Sequence, residues 1–270
     1  RSKLGDNVQL AALNKKTRGE AVNIAMTVRF GDEQSLKGTR VSAELLAPML
    51  RRGTSSRTFQ QISDELDKIQ STVNVSSSPG AVRVSVTSDK KNLAKALEIA
   101  GDMLRNPAFP PTEFDTIVKE RIAGIEASMS NPQALAQNAI QRALAPYPKD
   151  SFFYVPTMEE RMAELKAAKL DDVKKFYNDL VGPASVQIAA VGEFDDPALN
   201  SSLQQMMAGW KVKAPFKRVD RPFIANESGS KTIVTPDKPM ATVGMATDFK
   251  MQDTDPDAPA IDIAGYILGG

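Results

Sequence analysis

The sequence predicts an α+β protein in which an antiparallel sheet is covered by helices. Short runs of alternating apolar residues are typical of strands, and longer stretches with apolar residues three and four positions apart are typical of helices. Most of the strands come in pairs that are adjacent in the chain, and several helices follow one another before the last strand of the first 210 residues. This order differs from the regular strand–helix alternation of a parallel sheet, and it therefore favours helices packed on an antiparallel one.

Five strands are predicted in the first 210 residues. In chain order they are residues 8–13, 22–30, 71–78, 81–87 and 185–191. The first two are interpreted as a hairpin because only a short basic turn, residues 15–19, separates them. The third and fourth flank Pro79-Gly80, a pair of residues that favours chain reversal.

The predicted helices carry an apolar stripe, and most begin at a residue that suits a helix N-terminus. They are residues 40–51, 58–69, 88–105, 111–129, 132–144, 158–165, 170–180 and 195–210. Ser88 or Asp89 is the predicted N-cap of the third helix.

The end of the chain is predicted to begin a second module. Residues 211–230 contain prolines, a glycine and several charges without periodicity, and they are interpreted as a linker. Two strands and a helix then repeat the opening order, at residues 231–235, 241–248 and 256–268. Because such a unit buries too little by itself, we predict a first domain at residues 1–210 and the truncated start of a second, similar α+β domain at residues 231–270.

The composition excludes several chemistries. The 270 residues include neither histidine nor cysteine, so Ser-His-Asp and Cys-His catalysis are excluded and a zinc site would need carboxylates alone. The formal net charge of +1 gives no electrostatic footprint for nucleic acid. No apolar run reaches the ~18–20 residues that span a bilayer, so no membrane span is predicted.

A series of local phrases matches one family pattern in the right order. The phrases are Arg29-Phe30-Gly31-Asp32, Leu45-Leu46, Met49-Leu50, Gly53-Thr54, Asn106-Pro107-Ala108-Phe109-Pro110, Glu113-Phe114, Asn131-Pro132, Val191-Gly192-Glu193-Phe194 and Ile267-Leu268-Gly269-Gly270. Together they resemble the pitrilysin/insulinase family of zinc peptidases, the inverted zincins. The resemblance extends along nearly the whole chain, and the order and spacing of the phrases carry it. It implies two similar modules in each half of such an enzyme.

The resemblance also implies where a zinc site would lie. Catalytic members carry His-x-x-Glu-His on the first core helix and a glutamate ligand on a later helix. Alignment on the phrases above places Glu44, Ala47 and Pro48 at the motif positions and Gly124 at the third ligand. The resemblance therefore implies a non-catalytic, C-terminal-type half of a bacterial enzyme. It implies no metal or other cofactor in this chain, with zinc held by a separate catalytic half.

One candidate for peptide binding remains. Val73, Asn74, Val75 and Ser76 match the strand that pairs with extended substrate in active halves of the family. Strand addition needs only an exposed sheet edge, so a half without zinc could keep it. The alternative interpretation is a plain sheet strand.

Three functional hypotheses follow from the sequence. The first is a non-catalytic half that encloses and helps to bind peptide for a His-x-x-Glu-His half, in the same polypeptide or in a partner chain. The second is a stand-alone peptide-binding or assembly subunit, and both allow a homodimer. The third, Ser/Lys chemistry at Ser88 and Lys91, lacks its companion motifs. The resemblance implies a periplasmic or secreted bacterial protein.

Overall fold

The α+β class is confirmed by a computed structural model, which describes residues 2–236, 239, 241–252 and 254–269. The chain divides into two compact units. The first contains Arg1–Ile125 and Glu159–Val219, and the second contains Glu126–Met158 and Asp220–Gly270. The domain boundary predicted at residues 211–230 stays a prediction, because compactness within the units does not test it.

The first unit is built on a sheet of six strands in the described part of the chain. They are β1 (Ser2–Gly5), β2 (Val8–Asn14), β3 (Ala21–Arg29), β4 (Thr72–Ser78), β5 (Ala81–Asp89) and β6 (Ser185–Gly192). Their order across the sheet is β1-β2-β6-β3-β5-β4. Neighbouring strands are antiparallel except for β2 and β6, which are parallel.

The hairpin predicted from the first two strand patterns is wrong, because β6 lies between β2 and β3. Ile188 of β6 pairs with Leu10 of β2 on one side and with Met26 of β3 on the other. The six residues between β2 and β3 are long enough to cross the roughly 10 Å taken up by one intervening strand. The apolar β6 therefore occupies the interior of the sheet, where both of its edges are paired.

The end of β6 depends on a glycine. Gly192 pairs with Val22 at φ +141°, and a Cβ built on it would lie 2.2 Å from the carbonyl oxygen of Ala21. Any side chain at this position would push β3 and β6 apart, because carbon and oxygen atoms cannot approach so closely.

Helices of the first unit cover one face of its sheet. The described residues form α1 (Glu33–Leu36), α2 (Arg40–Leu50), α3 (Phe59–Lys68), α4 (Leu93–Arg105), α5 (Pro111–Met129), α6 (Pro132–Ala143), α7 (Met158–Ala167), α8 (Leu170–Leu180), α9 (Asp196–Met207) and α10 (Ala258–Gly269). Several begin at a capping side chain, as the sequence predicts; Thr58, for example, accepts a hydrogen bond from the backbone N–H of Gln61.

The predicted start of α4 is wrong by several residues. Ser88 and Asp89 lie in β5, and the helix begins at Leu93. The hydroxyl of Ser88 is buried and lies 2.7 Å from that of Ser71, while a carboxylate oxygen of Asp89 accepts from the backbone N–H of Asn92. Pairing with Val22 and Ala21 of β3 extends the strand through Ser88 and Asp89, the residues that would otherwise suit an N-cap.

The core lies between the helices and one face of the sheet. Alternate residues of β3, namely Val22, Ile24, Met26 and Val28, are buried, and those between them face the opposite, more open side. Helix α2 packs against β4 and α8, and α4 packs against β5 and α9. Burying one face of each strand in this way fixes the register, since a shift by one residue would expose the apolar set.

The second unit contains α6, α10 and long irregular segments. The strands predicted at residues 231–235 and 241–248 are wrong, since the backbone of both segments is irregular in the structure. Strands require hydrogen-bonding partners in a sheet, and no strand among the described residues pairs with these two segments. Part of the predicted linker is nonetheless anchored, since the Arg221 guanidinium lies 5.5 Å from the ring centre of Phe153 and the hydroxyl of Tyr147 donates to the carbonyl of Pro222.

Candidate functional site

The helix aligned with the zinc-binding motif is α2, and its backbone is held firmly in the core. Leu45, Leu46, Met49 and Leu50 are fully buried, which is why the apolar stripe predicts this helix correctly. Ala47 is also buried, whereas the side chain of Glu44 remains 20% exposed.

Helix α7 covers the polar side of α2 with ion pairs. The guanidinium of Arg161 pairs with the carboxylate of Glu44, and Arg40 pairs with Glu164 at 2.5 Å. Along the chain, each of the two helices carries an arginine followed by a glutamate. The arginine of each helix pairs with the glutamate of the other. Arg161 and Glu164 could not be identified from the sequence, because no local signal connects residues more than a hundred positions apart.

Pro48 changes the hydrogen bonding of α2. Proline has no backbone N–H, and its ring crowds the carbonyl of the residue four positions earlier. Beside it, the hydroxyl of Ser77 on β4 accepts from the backbone N–H of Ala47 at 2.9 Å and donates to the carbonyl of Ala43 at 2.5 Å. The strand and the helix are therefore joined at the aligned position.

Gly124 lies on α5 and is exposed, and a Cβ added to its backbone would point into open space with no neighbouring element within 4 Å. Helix α5 is tied to the end of α2 by Arg52, whose guanidinium lies 3.0 Å from Glu113 and 3.5 Å from Glu120. The same guanidinium stacks over the ring of Phe59 at 4.7 Å. A larger residue would fit at Gly124, so sterics do not explain the glycine.

The residues at the four aligned positions do not fit zinc. Side chains of Ala47, Pro48 and Gly124 have no donor atom, and the carboxylate of Glu44 is already paired with Arg161. Among the described residues, no group of three or more His, Cys, Asp and Glu side chains could hold a metal ion. These four positions therefore offer no zinc site.

The loop after α2 is fixed by a cluster around Asp102, which we call the Asp102 cluster. Its carboxylate accepts hydrogen bonds from Thr54 at 2.6 Å, Ser56 at 2.7 Å and Arg57 at 2.7 Å. Burial acts to raise the pKa of Asp102, but the hydrogen bonds from these residues and Asn106 outweigh it and lower the pKa to about 2. The cluster holds residues 54–57 against α4.

The predicted peptide-binding strand, β4, lies at the edge of the sheet. A two-residue turn makes Ser78 and Ala81 a hydrogen-bonded pair, and such pairs alternate with unbonded ones along an antiparallel ladder. The backbone groups of Val73 and Val75 therefore point away from β5. Within the described part of the chain, the backbone of residues 72–78 bonds to no backbone outside β5.

The side chains of β4 are divided between two faces. Val73 and Val75 are buried towards the helices, while Asn74 and Ser76 are exposed on the open face of the sheet. An extended segment that paired with this edge would meet a free backbone and small polar side chains. The prediction that these four residues bind substrate is not tested by this geometry and stays a prediction.

These features define an α+β domain whose second helix is packed in the core and which has no zinc ligand set at the aligned positions. The model of the family described as Insulinase (Peptidase family M16) matches residues 10–148, and the model described as Peptidase M16 inactive domain matches residues 167–270. The chain belongs to the insulinase family of peptidases, M16. The resemblance to an inactive half of such an enzyme is confirmed.

Two solved structures show the same fold. One is a peptidase M16 inactive domain from Pseudomonas fluorescens, with a TM-score of 0.64 and 16% identity, covering 83% of this chain and 52% of the other. The second is a protease from Helicobacter pylori, with a TM-score of 0.66 and 15% identity, covering 84% of this chain and 53% of the other. The chain spans about half the length of these proteins. No curated protein matches it significantly.

None of the helices in the described residues combines the length and the apolar character needed to cross a membrane.

Proposed function

We propose that this chain is the non-catalytic part of a zinc metallopeptidase, and that it helps to enclose and bind peptide for a separate His-x-x-Glu-His half. The observation that carries the proposal is a contrast within one site. The aligned helix keeps its packing without zinc ligands, whereas the neighbouring edge strand keeps a free backbone. A domain of this kind supports binding rather than hydrolysis.

Peptide binding would occur by addition of a strand to β4. An incoming extended segment would bond to the outward N–H and C=O groups of Val73 and Val75. Backbone pairing accepts many sequences, which suits a peptidase that acts on unfolded or short peptides. The side chains of Asn74 and Ser76 on β4 are small and exposed, and they leave room for those of the peptide.

The partner would supply the chemistry. Its two histidines and glutamate would bind zinc and activate a water molecule for amide hydrolysis, in the same polypeptide or in a partner chain. A bacterial periplasmic or secreted location accords with this role, and the absence of cysteine is compatible with an oxidising compartment.

A second candidate, a stand-alone peptide-binding or assembly subunit, is favoured by one observation. Helix α10 exposes apolar side chains, with Ile263 at 61%, Ile267 at 74% and Tyr266 at 80% accessible. Exposed apolar surface of this kind is typical of protein interfaces. An assembly subunit would form complexes through α10 without any protease partner.

The experiment that tests the first proposal measures cleavage of a fluorogenic peptide by the chain alone and with a His-x-x-Glu-His half, each with and without a zinc chelator. We expect no cleavage by the chain alone and a higher chelator-sensitive rate when both are present. Chelator-sensitive cleavage by the purified chain alone would contradict the proposal.

Binding is tested separately from cleavage. A fluorescent extended peptide of alternating Thr and Val, with lysines at both ends, is titrated against the chain by anisotropy. A matched peptide that is N-methylated on alternate residues has lost the backbone donors of one edge. Two such peptides are made, one methylated on the Thr residues and one on the Val residues. We expect the unmethylated peptide to bind and at least one of the two methylated peptides not to bind. Equal binding of all peptides would exclude strand addition.

A further inference from the structure

Ser77 occupies a position that the proposed function does not explain. Its side chain follows the alternation of Val73 and Val75 and points towards α2, where the hydroxyl bridges the N–H of Ala47 and the carbonyl of Ala43. In a regular helix these two groups bond to one another. The hydroxyl of Ser77 therefore bonds to the donor and to the acceptor of the helical hydrogen bond that lies immediately before Pro48.

Pro48 gives this bridge a physical reason. The proline ring crowds the carbonyl of Glu44 and removes one donor from the helix, and a side chain that inserts into the hydrogen-bond ladder is a known accompaniment of proline in a helix. The hydroxyl of Ser77 bonds to both groups, since it accepts from the N–H of Ala47 and donates to the carbonyl of Ala43. The residue aligned with a zinc ligand in the family is thus coupled to the edge strand.

The same residue also limits the free edge. Ser77 belongs to an unbonded pair with Val82, so its backbone groups face outward like those of Val73 and Val75. Its side chain, unlike theirs, is fixed to α2 by hydrogen bonds that have direction as well as strength. This contact fixes the position of the C-terminal end of β4 relative to α2.

We propose that Ser77 is a positioning residue for peptide binding, which anchors the edge strand to α2 through its hydroxyl so that an added strand pairs at Val73 and Val75. This role rests on the proposed function. It predicts that removal of the hydroxyl leaves the fold intact and loosens the edge on which the peptide pairs.

The test compares Ser77→Val and Ser77→Ala with Ser77→Thr in the full chain. Thr and Val have nearly the same shape, but only Thr keeps a hydroxyl that accepts from Ala47 and donates to Ala43. Ser85→Ala, at an exposed position of β5, is the matched control for loss of a serine from the sheet. Circular dichroism establishes that each variant is folded.

Two readouts are measured. Hydrogen exchange in the free chain reports the amides of Asn74 and Ser76, which bond to β5 and become labile when the edge opens. Anisotropy with the Thr/Val peptide reports the Kd. We expect both the exchange rates and the Kd to rise about tenfold in Ser77→Val and Ser77→Ala, the change equivalent to one ordinary hydrogen bond. Ser77→Thr and Ser85→Ala should match the wild type.

The outcomes separate the two proposals. If the wild type binds and Ser77→Val binds equally, with unchanged exchange at Asn74 and Ser76, the positioning role is overturned while the proposed function stands. If Ser77→Thr loses binding as Ser77→Val does, the hydroxyl is not the cause and the role is likewise overturned. A wild-type chain that binds none of the peptides overturns the proposed function, and the positioning role with it.

Discussion

Two groups of charged residues beside α2 differ in burial. Beyond the C-terminal end of the helix, the side chains of Arg57 and Asp102 are 14% and 11% exposed. On its flank, Glu44 and Arg161 are 20% and 42% exposed. The buried cluster fixes the loop that follows the helix, whereas the more exposed pair includes Glu44, which the resemblance aligns with a zinc ligand. The comparison indicates that the frame around this helix depends on the first cluster far more than on the second.

The largest expected effect comes from the Asp102 cluster. Replacing Asp102 with Asn removes the charge that accepts from Thr54, Ser56 and Arg57, and it leaves the guanidinium without its most buried anion. We expect a loss of about 2–3 kcal/mol of unfolding free energy, since hydrogen bonds to charged groups are strong. Urea denaturation provides the measurement. Asp115→Asn, at an exposed position of α5, is the control and should change stability by less than about 0.5 kcal/mol.

A second effect concerns pH. The pKa of Asp102 is about 2 in the folded chain, against 3.8 for the unperturbed group. Because the folded pKa is the lower one, the stabilisation is fully present above about pH 4 and is lost as the pH falls towards 2. The difference in unfolding free energy between wild type and Asp102→Asn should therefore shrink by about 2 kcal/mol over that interval. A difference that is independent of pH would show that the charge of Asp102 contributes nothing.

A smaller effect is expected at the flank of α2. A double-mutant cycle with Glu44→Gln and Arg161→Gln should give a coupling of about 0.5–1 kcal/mol, because partly exposed ion pairs are weakened by water. High salt should reduce this coupling, since mobile ions screen exposed charges. A coupling above about 2 kcal/mol that resists salt would place this pair on the same footing as the Asp102 cluster.

The smallest expected effect is that of zinc. A ligand that binds only the folded state raises the thermal midpoint, and the residues at the four aligned positions supply no set of donors. Thermal unfolding should therefore be the same, within about 1 °C, after addition of zinc or of a chelator. A shift of several degrees that disappears in the chelator would overturn the interpretation of the aligned positions.

Much of the fold could be predicted from local patterns. The helices α2, α5 and α8 lie close to their predicted bounds, because each carries an apolar stripe or a clear N-terminal signal. The pairing of β6 between β2 and β3 could not be predicted, since it joins residues that are about 160 to 180 positions apart. The predicted strands after residue 230 failed because a strand pattern forms a strand only where a partner strand is available.

The candidate site shows the same division. Alignment with the family identified Glu44, Ala47, Pro48 and Gly124 from the sequence, and their chemistry alone explains why they do not form a zinc site. The ion pair with Arg161 and the bridge from Ser77 were missed, because nothing near either residue in the chain indicates a partner on α2.

By itself the sequence determined the class of this protein, its family and the absence of histidine and cysteine chemistry, because composition, periodicity and ordered motifs are local properties of the chain. The tertiary structure decided which strand lies at the free edge, which charges cover Glu44 and where the hydroxyl of Ser77 bonds. These depend on contacts between distant residues, whose formation is governed by packing of the whole core rather than by neighbours in sequence.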